Sequence, residues 1–189
     1  MAYPPHSVLA TTTKDGGTLI TSQLALGPVA TTTGDWVDTW AEKRPDHIFL
    51  AERSGAGWHS VTYRSLSQQV QSLAAGLLGL GLAKGDTIVC LSGPSVNHGI
   101  LTLAAQYVGL VTVPLAEQYS LIPQAREKLR YAVAKVAPKL IYAEDGAQFG
   151  DALSDACAVS LPKLVSKNAT TGHLTFDTLV KGDTSIDVF

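Results

Sequence analysis

The amino-acid sequence predicts an α/β fold in which a mostly parallel sheet is flanked by helices. Short apolar runs, TIVCLS, LVTVPL and KLIYA, have the length and the β-branched content of buried strands. Segments of helical character separate them, as the crossover connections between parallel strands require. A chain of 189 residues is long enough for one domain with a hydrophobic core and too short for two domains of ordinary size.

The beginning of the chain differs in composition from the rest. Residues 1–34 are rich in Thr, Gly and Pro and contain one short strand candidate, GTLIT. We therefore predict that residues 1–34 form an N-terminal arm and that residues 35–189 form the domain. GDWVDTWAEKRPD predicts a short helix with Trp36, Val37 and Trp40 on one side. HIFLAER and WHSVTY alternate polar and apolar residues, and SGAG between them predicts a β-hairpin.

The next segment, TYRSLSQQVQSLAAGLLGLGL, predicts a long amphipathic helix that begins after Thr62 as its N-cap. Its Leu and Val residues recur at steps of four and three. The glycines Gly76, Gly79 and Gly81 would each cost an isolated helix about 1 kcal/mol, so we expect this helix to lie very close to a sheet.

Two further helices and one weak strand are predicted in the second half of the chain. One helix runs from about Leu121 to Val136, before Pro138. The other runs from about Gly146 to Cys157, and PKLVS is a weak strand candidate that follows it.

Composition excludes several classes of function. The net charge is −2 and the 14 Lys and Arg residues are scattered, so we expect no nucleic-acid partner. No apolar run approaches the roughly 18 residues of a membrane span, and the N-terminus has no signal-peptide pattern, so we expect a cytoplasmic protein without membrane contact. Cys90 and Cys157 lack partners at metal-ligand spacing and are expected to be buried free thiols.

The turn Ser92-Gly93-Pro94-Ser95 follows a predicted buried strand and precedes a helix. It has one Gly, a Pro without an N–H, and no Lys, so it does not match a phosphate-binding loop. It matches the nucleophile elbow G-x-S-x-G except at Asn97, which replaces the second Gly. A serine hydrolase with Ser95 as nucleophile is therefore a weak alternative, and a helix start at Gly93 and Pro94 explains the turn more simply.

The other polar residues do not match a catalytic or metal-binding pattern. The five His residues show no pair at helical spacing, so we expect no metal site. Glu144 and Asp145 follow a predicted strand and open a helix, and we expect both to cap it. The residues alone therefore predict no catalytic group.

The segments and their order along the chain resemble those of a known protein superfamily. VTYRSL resembles the first conserved motif of the adenylate-forming superfamily, and AAQYVGLVTVPL resembles the second. This superfamily comprises acyl- and aryl-CoA synthetases, luciferases and the adenylation domains of peptide synthetases. KDGGTLITSQLALGP, RPDHIFLAER, AEQYSL and KLIYAEDGAQF are most similar to feruloyl-CoA synthetases. The resemblance runs from about Lys14 to Val180 and implies a partial N-terminal domain of the adenylate-forming fold.

The resemblance implies a parent reaction in which ATP activates a carboxylate as its AMP ester, with Mg²⁺, before transfer to coenzyme A. For this branch the acid is an aromatic carboxylate of the hydroxycinnamate type. The family's phosphate loop, a Ser/Thr/Gly-rich segment ending in Pro-Lys, has no counterpart here, and the sequence ends at SIDVF before the place where it is expected. We therefore expect a truncated, inactive fragment that binds no cofactor alone, since phosphoryl transfer needs donors and a cation around the phosphate.

Substrate contacts are expected at the turn after the strand TIVCLS. Open α/β sheets bind ligands beyond the carboxyl ends of their strands, so Ser92, Gly93 and Asn97 are the candidates for contact with an acyl or pantetheine group. Pro94 and the pair Glu117-Gln118 depart from the residues usual in this branch. A standalone binding or scaffold module without catalysis remains an alternative. Only 16% of the residues are charged, so we also expect an exposed apolar patch and self-association through it.

Overall fold

The computed structural model describes residues 6–155 and 160–181. The chain divides into two compact units, one ending at Thr31 and the other beginning at Thr32. In the first unit, strands β1 (Val8–Thr12) and β2 (Thr18–Ser22) pair in an antiparallel hairpin. Cys157, and with it the predicted end of a helix, lies outside the described residues.

The second unit contains all the remaining elements. Its strands are β3 (Ile48–Ser54), β4 (Gly57–Thr62), β5 (Thr87–Leu91), β6 (Val111–Leu115), β7 (Leu140–Asp145), β8 (Lys163–Lys167) and β9 (Leu174–Thr175). Its helices are α1 (Thr33–Lys43), α2 (Tyr63–Gly79), α3 (Val96–Tyr107), α4 (Glu117–Leu121), α5 (Arg126–Val136), α6 (Gly150–Asp155) and α7 (Phe176–Val180). The predicted hairpin is confirmed, because β3 and β4 pair in antiparallel register.

A five-stranded parallel sheet organises this unit, in the order β6-β5-β7-β8-β9. The predicted α/β fold is therefore confirmed. The central strands β5 and β7 are buried almost throughout, because helices cover both faces of the sheet. This two-sided burial explains why TIVCL and LIYA are continuous apolar runs rather than alternating ones.

The two faces of the sheet bury different side chains of the same strands. Ile88 and Cys90 of β5 point into a cluster that also contains apolar residues of α2 and α3. Val89 and Leu91 point into a second cluster, which contains apolar residues of α5 and α6. The alternation follows from the pleat of the strand, which turns successive side chains to opposite faces.

The edge strand β6 tolerates a proline because of its place in the sheet. The amide of Val111 donates to Asp86 O at 2.9 Å, so the amides of Val111 and Val113 face β5. The nitrogen of Pro114 faces the opposite side, where the missing N–H removes no bond to β5.

Three predicted helical features differ in the structure. The helix expected over residues 121–136 is divided into α4, a 3-10 turn at Pro123–Ala125, and α5, since Ile122 is extended and Pro123 lacks an N–H. Gly76 does not face a sheet: a Cβ there would lie 3.0 Å from Leu179 of α7. Gly81 lies beyond the end of α2, with φ of +84°.

Two short elements, β9 and α7, are absent from the predictions because runs of two and five residues carry too little periodicity. α7 nevertheless contributes Phe176 to the core. On α1, Val37 is buried, whereas the side chains of Trp36 and Trp40 are 59% and 39% exposed. The self-association expected from an apolar patch stays a prediction. Within residues 6–155 and 160–181, no helix is both long and apolar enough to cross a bilayer.

The loop after β7 requires glycine at residue 146. A Cβ on Gly146 would lie 2.4 Å from the carbonyl oxygen of Asn168, whereas a Cβ on Gly150 would meet open space. We predict that Gly146→Ala lowers the free energy of unfolding by about 2 kcal/mol, because backbone must shift to admit the methyl group. Urea denaturation measures this, with Gly150→Ala as the matched control. Equal stability of the two variants would contradict the close approach.

Candidate functional site

The turn that follows β5 leads into α3 at the carboxyl edge of the sheet. Ser95 is the N-cap of α3: its hydroxyl accepts a hydrogen bond from His98 N at 3.1 Å. Helix α3 thus begins at Val96, three residues after Gly93, and Pro94 precedes the cap instead of opening the first turn. The expectation that Pro94 occupies the first helical turn is wrong for that reason.

A buried carboxylate, Glu144, joins this turn to the neighbouring strands. Ser95 Oγ donates to Glu144 Oε2 at 2.7 Å, and the hydroxyl of Tyr142 donates to the same oxygen. Lys167 Nζ, at the end of β8, lies 3.0 Å from the other oxygen, Oε1. The Glu144 side chain is only 11% exposed, so these three groups replace most of the water that a carboxylate requires.

The neighbours of Glu144 show the electrostatic effect of its charge. Burial, and then the negative charge of Glu144, raise the pKa of the Tyr142 hydroxyl, which also forms a 2.8 Å hydrogen bond with Ser166 Oγ. The hydrogen bond to Glu144 raises the pKa of Lys167. Tyr142 is thus held as a neutral donor and Lys167 as a cation.

A second carboxylate, Glu52 of β3, contacts the amino end of α3. Its Oε2 accepts a hydrogen bond from Val96 N at 2.8 Å, and His59 Nδ1 of β4 lies 3.6 Å from its Oε1. Negative charge is favourable at this end of a helix, where backbone amides lack intrahelical partners. The β3–β4 hairpin is therefore fixed to the helix that starts at the turn.

A polar cavity of about 320 Å³ lies beside the turn. Its lining residues are Glu52, Arg53, Gly93, Pro94, Ser95, Glu117, Glu144, Gln148, Phe149 and Lys167. The lining carries three carboxylates and two cations. The carboxyl group of Glu117, the first residue of α4, lies directly against the α-carbon side of Gly93.

An apolar cleft of about 400 Å³ lies on the other side of the same turn. Its lining residues are Phe49, Leu50, Pro94, Ser95, His98, Gly99, Thr102 and Leu103. Pro94 and Ser95 line both spaces, so the turn separates a charged compartment from an apolar one.

The structure separates the three predicted site residues. Gly93 lines the polar cavity. Ser92 is buried, its hydroxyl donates to Gly93 O at 2.6 Å, and it lines neither this cavity nor the apolar cleft. Asn97, the second residue of α3, also lies outside both linings. Contact of these three residues with a substrate stays a prediction.

Neither of the two acidic residues expected to cap a helix does so, because the next helix, α6, begins only at Gly150 and the side chain of Asp145 instead holds the turn before it. Asp145 Oδ1 accepts hydrogen bonds from Ala147 N at 2.8 Å and Gln148 N at 3.2 Å. The expectation for Glu144 is wrong, because Glu144 lies within β7 and is buried among side chains from other elements. The pattern Tyr142-x-Glu144 places both on one face of a strand, and this spacing was the available signal.

Neither hydrolase chemistry nor a metal centre is supported. The Ser95 hydroxyl contacts the Glu144 carboxylate and a backbone amide, whereas an activated serine needs an imidazole or similar base. His98 Nδ1 lies 3.3 Å from Gly93 O instead. In the parts of the chain that the structure describes, no group of three or more His, Cys, Asp or Glu side chains could hold a metal ion.

Comparison with known proteins finds one matching family and relatives that are acyl-CoA ligases. A family model described as AMP-binding enzyme matches residues 37–185. The long-chain-fatty-acid–CoA ligase FadD15 of Mycobacterium tuberculosis is 27% identical over 143 residues, which are 76% of this chain and 23% of that protein. The mitochondrial medium-chain acyl-CoA ligase ACSF2 of Bos taurus is 31% identical over 113 residues, 58% of this chain and 17% of the relative. The chain thus spans less than a quarter of the length of these relatives.

Solved structures share the fold. Acetoacetyl-CoA synthetase from Streptomyces lividans superposes with a TM-score of 0.66 at 22% identity, over 80% of this chain and 25% of that one. A benzoate CoA ligase from Burkholderia xenovorans superposes with a TM-score of 0.62 at 19% identity, over 80% of this chain and 28% of that one. At these identities the likeness concerns the fold alone.

Buried tyrosine and cysteine side chains make the stability of the fold decrease at alkaline pH. Burial raises the pKa of Tyr142, and it raises those of Tyr107 and Cys90 to about 12 each. The unfolded chain releases these protons first, so the free energy of unfolding falls as pH rises above about 9 for Cys90 and about 10 for the tyrosines. Once a group has ionised in the unfolded chain, it lowers the free energy of unfolding by about 1.4 kcal/mol for each further pH unit.

We predict that Tyr142→Phe makes this alkaline decline shallower by one group's slope, because the variant has one fewer proton to lose. Denaturation curves recorded from pH 8 to about 11.5 measure the slope. Tyr131→Phe is the control, since Tyr131 is 70% exposed. A Tyr142→Phe slope equal to that of the unmodified chain would show that Tyr142 ionises in the folded protein as readily as in the unfolded one.

Proposed function

Because this chain belongs to the AMP-binding enzyme family, we propose that it forms the N-terminal part of an ATP-dependent, AMP-forming ligase that joins a carboxylic acid to coenzyme A. The match over residues 37–185 is the observation that carries this proposal. The relatives, a long-chain-fatty-acid–CoA ligase and a medium-chain acyl-CoA ligase, support it. ATP, Mg²⁺ and coenzyme A are the reactants and the metal of the complete reaction, which we propose takes place in the cytoplasm.

The role of this chain in that reaction is to form a wall of the substrate site. The turn after β5 stands at the carboxyl edge of the sheet, where open α/β sheets place their ligands. Gly93 lines the polar cavity, with the carboxyl group of Glu117 against its α-carbon, and Ser92 and Asn97 lie within four residues of it in sequence. We propose these three as the substrate-side residues, with Gly93 in direct contact.

The acid is proposed to be aromatic, of the hydroxycinnamate type. The resemblance of KLIYAEDGAQF and the neighbouring segments to feruloyl-CoA synthetases supports this choice. A long-chain fatty acid is the competing substrate, since the name of FadD15 specifies one. The apolar cleft lined by Phe49, Leu50 and Leu103 suits the apolar part of either acid.

The 189 residues alone are proposed to be catalytically inactive. Phosphoryl transfer needs hydrogen-bond donors and cations arranged around the phosphate groups. The polar cavity carries three carboxylates beside its two cations, of which Lys167 is already paired with Glu144, and no Ser/Thr/Gly-rich segment ending in Pro-Lys occurs in the sequence. A standalone binding module is the second candidate function, because the described residues by themselves line both the polar cavity and the apolar cleft.

The first test concerns the isolated chain. Incubated with ATP, Mg²⁺ and ferulate, benzoate or palmitate, it is expected to release no pyrophosphate above the rate of a blank without protein. An enzyme-coupled pyrophosphate assay makes the measurement, and a complete CoA ligase is the positive control. Release that depends on both the acid and the chain would contradict the proposed inactivity.

The second test concerns the protein as it occurs in its source cells. Captured with an antibody against this chain, it is expected to form a thioester of coenzyme A with ferulate at least about tenfold faster than with palmitate, a difference of about 1.4 kcal/mol in barrier. Chromatography with mass detection identifies the product, and cells lacking the gene provide the control. A palmitoyl product alone would overturn the aromatic substrate. If no acid gave a thioester, the ligase assignment would fail and the binding module would replace it.

A further inference from the structure

The apolar cleft between β3 and α3 contains one imidazole, that of His98. Its apolar walls include Phe49 and Leu50 of β3 and Leu103 of α3. A Cβ added to Gly99 would lie 2.9 Å from Leu50 Cδ1, so the missing side chain at residue 99 lets the strand and the helix approach closely. His98 precedes this glycine and lines the same cleft, which is otherwise almost entirely apolar.

The contacts of the His98 ring determine which of its nitrogens carries the proton. Nδ1 lies 3.3 Å from Gly93 O. A carbonyl oxygen can only accept a hydrogen bond, so Nδ1 must bear the hydrogen and donate it. In a neutral imidazole the other nitrogen, Nε2, then carries a lone pair. Across residues 6–155 and 160–181, no group forms a hydrogen bond or an ion pair with Nε2. The ring therefore brings one unused acceptor to the cleft.

The side-chain donors of this lining are all engaged. The hydroxyl of Ser95 donates to Glu144 Oε2 at 2.7 Å, and the hydroxyl of Thr102 donates to His98 O at 2.9 Å. The third donor, Nδ1–H of His98, is directed at Gly93 O. No Lys, Arg, Asp or Glu lines the cleft. Its side chains can therefore accept a hydrogen bond from a ligand, but they have no donor or charge left for a carboxylate or a cation.

These properties select an uncharged, apolar group that carries a hydrogen-bond donor. A phenol meets both requirements, because its ring can bury apolar surface against Phe49 and Leu103 while its O–H donates to an imidazole nitrogen. The hydrocarbon end of a fatty acid has no donor. It would cover Nε2 without bonding it, and an acceptor that loses water without gaining a partner opposes binding.

We propose that His98 Nε2 binds the phenolic hydroxyl of a ligand whose ring lies in the apolar cleft. This inference rests on the proposed function in one respect, the choice of a hydroxycinnamate as the phenol. It extends that function by naming the residue that favours a hydroxycinnamate over both a fatty acid and an aromatic acid without the hydroxyl group. The carboxylate of the acid stays outside the cleft, where donors other than these side chains can meet it.

The test compares two acids that differ by one hydroxyl group. The full chain is titrated calorimetrically with 4-hydroxycinnamate and separately with cinnamate, without ATP or coenzyme A. We expect 4-hydroxycinnamate to bind about tenfold more tightly, because cinnamate leaves Nε2 without a partner. His98→Asn keeps an amide N–H that can bond Gly93 O and removes Nε2, so it is expected to reduce this preference to about twofold or less.

Two further measurements separate binding at His98 from a general effect on the fold. His47→Asn makes the same change at an exposed position outside the cleft and is expected to keep the preference for 4-hydroxycinnamate. In the unmodified chain, the ¹⁵N resonance of His98 Nε2 is expected to shift on addition of 4-hydroxycinnamate and to stay in place with cinnamate. A partial loss of folded protein would weaken both acids equally and leave their ratio unchanged.

Either of two results would overturn the proposal. One is unmodified chain that does not bind 4-hydroxycinnamate saturably, and the other is His98→Asn that retains the full preference for the hydroxylated acid. Both are binding measurements without catalysis, so the thioester assay on the captured protein decides the ligase assignment independently. A feruloyl product together with an unchanged preference in His98→Asn would reject the role of His98 and keep the proposed function.

Discussion

The buried carboxylate of Glu144 is the constraint on which the arrangement of this site depends. A carboxylate that is nearly removed from water must be hydrogen-bonded, and an unsatisfied buried partner costs about 1–3 kcal/mol. Its partners come from the α3 cap (Ser95), from its own strand (Tyr142) and from the end of β8 (Lys167). Lys167 is 54% exposed, so its ion pair adds little and the two hydroxyl groups carry most of the stabilisation.

This constraint shapes the surface on either side of the turn. With Ser95 held by Glu144 and the amino end of α3 held by Glu52, the turn has contacts to the sheet and to the hairpin at once. The polar cavity and the apolar cleft are thus formed before any ligand arrives, and preorganisation of this kind reduces the cost of binding. Under the proposed function, this preformed turn would serve as one wall of the substrate site.

The sequence predicts those parts of the fold that local patterns determine. Two-sided burial produces the continuous apolar runs of β5 and β7, and the alternation around SGAG produces the β3–β4 hairpin. The site was harder to predict, because Ser95 and Glu144 are 49 residues apart and only the folded sheet brings them together. The contact between Glu117 and Gly93 is likewise tertiary. The break at Pro123 has a local signal in the sequence, a proline near the start of the predicted helix.

A double-mutant cycle between Ser95 and Glu144 tests most directly whether the buried carboxylate holds the turn. The free energies of unfolding of Ser95→Ala, Glu144→Gln and the double variant are measured in urea at neutral pH. The lost α3 cap contributes equally to both arms that contain Ser95→Ala, so it cancels in the cycle. A coupling energy of about 1 kcal/mol or more is the result the account predicts, in the range of a hydrogen bond to a charged group. Additive effects, with a coupling below about 0.3 kcal/mol, would contradict it by showing that Glu144 does not hold the turn.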